Sequence, residues 1–125
     1  MAGTKLDGAG TQKMKTLVDA LTTIQSIHGM VERMAIDVKN NRGAGIIPSQ
    51  IKRAAVPLQG QLKGQFGMVA DQVSGMIIAL GRGGGEQNKV RAAREAVAQI
   101  RQALEIMVNK VKDQHSVKIE TSDDI

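Results

Sequence analysis

Cysteine, tryptophan and tyrosine are absent from this 125-residue chain, and phenylalanine occurs once, at position 66. Without cysteine there is no disulfide framework, no thiolate metal site and no cysteine nucleophile. Without exposed aromatics no base can be stacked on a ring, which removes the commonest way of reading single-stranded nucleic acid. The core has to be filled by Ala, Val, Ile, Leu and seven Met, a set that suits helix-to-helix packing better than sheets. No run approaches the roughly 18 apolar residues of a membrane span. The opening Met1-Ala2-Gly3-Thr4-Lys5 lacks the apolar stretch of a secretory signal. These absences predict a soluble, cytoplasmic protein with no membrane span.

Charge is not lacking, but it is uneven. The net charge is +5, and the last seven residues hold Glu120, Asp123 and Asp124 with no base. A basic body with an acidic tail raises the nucleic acid backbone as a partner, beside the simpler reading of a solvated surface.

Helical periodicity dominates the interior. Thr11 reads as an N-cap, and Leu17, Leu21, Ile24, His28, Val31, Ala35 and Val38 then step by alternating fours and threes. Asn40-Asn41-Arg42-Gly43-Ala44-Gly45 ends that helix with residues that tolerate left-handed backbone. A second helix spans 57–80, and residues 49–55 are either a short separate helix or its first turns, kinked at Pro57. Gly81-Arg82-Gly83-Gly84-Gly85 is a break, and a third helix runs from Glu86 to Gln114 on a seam of Val90, Ala93, Val97, Ile100, Leu104, Met107 and Val111. Residues 1–10 read as a flexible segment, 11–115 as the helical domain and 116–125 as a flexible acidic tail. In the tail, Ser116–Thr121 alternates like a strand without a visible partner. The fold class expected is all-α, an antiparallel up-down-up bundle of three long helices.

The middle helix carries the most unusual pattern. Gly60, Gly64, Gly67 and Gly75 fall on one stripe with Asp71, opposite Leu62, Phe66, Val69, Val73, Met76 and Leu80. Each interior glycine costs roughly 1 kcal/mol of helix stability, which points to a second backbone approaching closely. Ile27, Met30 and Met34 widen the first helix's apolar face, an exposed shoulder suited to fill the glycine groove of another copy. The expected partners are therefore the chain itself, as a two-fold dimer, and another protein.

Catalysis has little support. No Ser/His/Asp set aligns, no Glu-x-x-His metal signature occurs, and the glycines before Glu86 lack the Gly-Lys-Ser/Thr of a phosphate loop. Neither a catalytic residue, a metal ligand nor a cofactor is expected. His28, in mid-helix, resembles in placement the phosphorylated residue of histidine phosphotransfer domains, which are helical bundles of similar size. That resemblance would make His28 the phosphorylated group. The chain departs from the family's pattern, with Val31 and Glu32 where it has lysine and glycine. An up-down-up bundle would also gather Lys39, Arg42, Lys52, Arg53, Lys110 and Lys112 at one pole. Lys13, Lys15, Arg82, Lys89, Arg91 and Arg94 would gather at the other. Either pole would bind a nucleic-acid backbone without reading its sequence. The reading that the residues favour is a non-enzymatic scaffold or structural subunit acting through self-association, ahead of backbone binding and of phosphotransfer.

Overall fold

A computed structural model of the chain describes residues 3–82 and 84–119. It holds four helices, α1 (Gly8–Lys39), α2 (Ile47–Lys63), α3 (Gly67–Gly81) and α4 (Glu86–His115), with short strands β1 (Gly3–Leu6) and β2 (Ser116–Ile119) at the ends. The all-helical bundle agrees with the sequence pattern, but the helix count does not. The single helix expected over 57–80 is two helices, broken at Gly64-Gln65-Phe66. Phe66 leaves helical geometry at φ −133° and ψ 59° and turns its ring into the core. Two glycines within four residues weaken the helix there, and folding it back lets the apolar faces of α2 and α3 share one core.

Pro57 does not break α2, which runs unbroken from Ile47. Both Pro57 and Arg53, whose carbonyl loses its helical donor to the proline, lie on the solvent side. Water can satisfy the carbonyl there.

α1 packs against α2 and α4, and α3 against α2 and α4, so the helices form a square. Cross-links along α1 and α4 fix their relative sense: Glu86 meets the Ala44 amide, Arg94 meets Glu32, Arg101 meets Gln25, and His115 meets Asp7. The two are therefore antiparallel over their whole length, about 45 Å at 1.5 Å per residue. α2 and α3, with 17 and 15 residues, make a hairpin about half as long. It begins and ends at the Glu86 end, where Lys52 lies against Gly81. Four helices thus surround the core at that end.

Burial corrects the reading of α1. Leu17, Ile24 and Val31 are core residues as expected, but the row completing the face is Ala20, Ile27 and Met34, all fully buried. Leu21, His28 and Ala35 lie at its half-buried edge. Both rows have the same heptad spacing, and the one with the larger apolar volume faces the core. The seams read for α4 and for Leu62 to Leu80 coincide with the buried residues, apart from half-buried Met107.

Within the terminal segments 1–10 and 116–125, the described residues hold a helix cap and two short strands. Asp7, not Thr11, caps α1 by accepting from the Gly10 amide at 2.7 Å. β1 pairs antiparallel with β2 from Leu6↔Ser116 to Gly3↔Ile119. The strand-like alternation after His115 therefore has a partner, at the opposite end of the chain. The acidic residues Glu120, Asp123 and Asp124 lie outside the described residues. Among the described residues no helix is long and apolar enough to cross a membrane.

Gly10 is needed sterically where α4 ends, since a Cβ on it would run into the His115 Cβ. Gly10→Ala is expected to cost about 1–3 kcal/mol by overpacking, read as a lowered urea midpoint. Alanine at Gly60, where a Cβ meets nothing within 4 Å in the single chain, is expected to leave the stability of the isolated bundle unchanged or mildly raised.

Candidate interaction surfaces

The glycine stripe, the basic poles, His28 and the methionine shoulder each have a definite place in the bundle, and in several cases it is not the expected one. Because the helix breaks, Gly60 and Gly64 lie at the end of α2 and Gly67 and Gly75 lie on α3. They do not form a single stripe along one rod. All four are exposed, with nothing within 4 Å of a Cβ built on any of them. No close backbone approach within the chain accounts for them. Asp71 is exposed beside them. The shoulder expected to complement them is absent as a surface: Ile27 and Met34 are fully buried. Only Met30 reaches the surface, half-buried in the cleft between α1 and α2.

The solvent side of the α2–α3 hairpin nevertheless stands out chemically. From Ala54 to Gly81 the only charged residues are Lys63 and Asp71. Val56 is 54% exposed, Met68 84% and Ile78 55%. A helix face turned to water normally carries charged side chains; this one is poor in them, and glycines and apolar groups share it with the uncharged Gln61, Gln65 and Gln72.

Helix parity decides the poles. Four helices instead of three reverse α4 relative to α1, so Lys110 and Lys112 lie at the terminal end with Lys13 and Lys15. Arg82, Lys89, Arg91 and Arg94 join Lys39, Arg42, Lys52 and Arg53 at the loop end. The two sets expected from an up-down-up bundle are therefore exchanged in part. Arg94 donates to both carboxylate oxygens of Glu32, and Arg42 donates twice to Asp37 Oδ1. Lys39, Lys52, Arg53, Arg82, Lys89 and Arg91 have no ion pair among the described residues.

His28 is half-buried on α1 with the Glu32 carboxylate one turn on. At the terminal end the Lys13 ammonium donates to His115 Nε2 at 3.0 Å. That places the neutral ring's proton on Nδ1, facing Asp7 at 3.3 Å. Sequence spacing had no means of finding this clamp, because Asp7 and His115 meet only through the antiparallel pairing of α1 and α4. Among the described residues no three metal-ligating side chains converge.

Two carboxylates are held below their ordinary values. The Gly10 amide, then His115 and Lys13, lower Asp7 from 3.8, and the Arg94 guanidinium, with a smaller part from His28, lowers Glu32 from 4.5. A depressed carboxylate contributes stability above its ordinary pKa and loses it as pH falls through the folded value. The urea midpoint is therefore expected to decline below about pH 4.5. Asp7→Asn and Glu32→Gln should each flatten part of that acid limb; an unchanged limb in both would refute the assignment.

No family model matches this chain, and no curated protein or solved structure matches it significantly.

Proposed function

We propose that the protein is a non-enzymatic structural subunit that self-associates through the outer face of the α2–α3 hairpin. One observation carries this reading: the stretch from Ala54 to Gly81 holds two charges in 28 residues and leaves Val56, Met68 and Ile78 exposed. Leaving such a face in water forgoes about 25 cal/mol per Å² of apolar surface. A helix that needed only solubility would carry lysine and glutamate there. The partner that matches is a second copy related by a two-fold axis, since the same low-charge patch then covers itself. Gly60, Gly64, Gly67 and Gly75 let the partner's helices come close and leave room for its Met68 and Ile78, with Asp71 beside them.

Light scattering coupled to size exclusion, on nucleic-acid-free protein at two salt concentrations, tests it. A dimer or larger species whose mass is independent of salt is the expected result, because apolar contacts are not screened. A monomer at both salt concentrations refutes self-association.

A further inference from the structure

The cleft between α1 and α2 has a chemistry unlike the hairpin face. Ser26, Gly29, Met30 and Arg33 line it from α1 and Gln50, Arg53 and Ala54 from α2, around a volume of about 600 Å³. Two arginines and no carboxylate line these walls. Neither Arg33 nor Arg53 has an ion-pair partner among the described residues, whereas Arg42 and Arg94 are each tied to a carboxylate. Thr16, Thr22 and Thr23 on α1 return their hydroxyl protons to carbonyls one turn back. Ser26 makes no such bond among the described residues and so keeps its donor for the cleft.

Gly29 is the second observation. It lies in the middle of a 32-residue helix, where glycine lowers helix propensity. Its φ is not positive, and a Cβ would meet nothing within 4 Å. Neither backbone conformation nor packing inside the chain requires glycine at this place. Its effect is open space in the wall of a cleft that two arginines also line.

We propose that this cleft binds a phosphate group, with Arg33 and Arg53 approaching it from opposite walls and Ser26 donating a further hydrogen bond. A carboxylate has two oxygens and is satisfied by one guanidinium fork. A free or terminal phosphate offers three or four acceptor oxygens in a tetrahedron and can take two forks and a hydroxyl together; a backbone phosphodiester offers two non-bridging oxygens, one to each guanidinium. The phosphate belongs either to a nucleic-acid backbone or to a small phosphorylated molecule. With Phe66 buried no Phe, Tyr or Trp ring is available to hold a base, so recognition stops at the phosphate. This site uses residues other than those of the hairpin face, so either assignment stands if the other fails.

The test is fluorescence anisotropy of a labelled 20-nucleotide DNA with the full chain from 50 to 200 mM salt, with inorganic pyrophosphate as competitor and, by calorimetry, as a ligand in its own right. Displaceable DNA binding assigns the site to a backbone phosphate, and pyrophosphate binding alone assigns it to a small phosphorylated molecule. Gly29→Leu adds bulk to the cleft wall, leaves net charge unchanged and favours the helix. It is expected to weaken binding at least tenfold while the urea midpoint holds or rises. The R33K/R53K double variant, also of unchanged net charge, should lose several-fold through its missing forks. R33A/R53A should reduce the slope of log affinity against log salt by about two. Absence of binding by both probes at 50 mM salt overturns the proposal. So does parental affinity in G29L or in R33K/R53K, which would mean that net charge alone attracts the anion.

Discussion

A Met68→Glu, Ile78→Glu double variant is expected to be monomeric at concentrations where the parent chain is associated, with its helical circular dichroism unchanged. The two side chains are 84% and 55% exposed in the single chain, so replacing them removes almost nothing from the core. In a two-fold contact each substitution counts twice. Burying a Met or Ile side chain is worth about 1.5–3 kcal/mol, and an unpaired carboxylate buried in its place costs more. Even one such side chain lost on both sides gives about 3 kcal/mol, or more than 100-fold in dissociation constant. Sedimentation equilibrium of parent and variant over a concentration series reads this directly. Equal masses in the two, with the parent associated, would place the contact elsewhere on the molecule.

The largest effect on folding is expected from Leu104→Ala. Leu104 is fully buried on α4, one turn beyond the Arg101–Gln25 cross-link between α4 and α1. Removing its side-chain atoms forfeits their transfer free energy and leaves a cavity that helices pinned at several points along their length close only in part. Such substitutions cost about 2–5 kcal/mol, against a total stability of about 5–15 kcal/mol for a domain of this size. The melting temperature should fall by roughly 10 °C. A thermal melt followed at 222 nm checks it, and a drop of under about 3 °C would mean that the core around Leu104 is loosely packed. The ion pairs offer a contrast. The Arg94 and Glu32 side chains are 52% and 39% exposed, and Glu32→Gln at neutral pH should cost about 0–1 kcal/mol.

Much of the bundle was legible in the chain. The α4 seam from Val90 to Val111 and the row from Leu62 to Leu80 could be read because large apolar residues recur at helical spacing with polar residues between them. Asn41 and Gly43 marked the end of α1 because both take positive φ there, 60° and 75°. The row completing the face of α1 was ambiguous for a definite reason. Ile27 and Met34 share their spacing with His28 and Ala35, and only the positions of the neighbouring helices choose between them. The hairpin break was hidden because the apolar row passes through Phe66 without a gap. Periodicity records which side of a helix is apolar, not whether the helix continues.

Sequence by itself determined the class of fold, the apolar rows of α3 and α4, and the scarcity of charge between Ala54 and Gly81, since spacing and composition are local properties. Tertiary structure decided the rest. Once the chain turns at Gly64-Gln65-Phe66, the number of helices becomes even and α4 runs against α1. That single reversal moves Lys110 and Lys112 away from Lys39 and Arg42, brings His115 to Asp7 and β2 to β1, and divides the four glycines between two helices. The physical reason is that two half-length helices folded on each other bury their apolar faces in a four-helix core. A single rod of the same sequence would have left the direction of α4, and with it every contact between distant residues, the other way round.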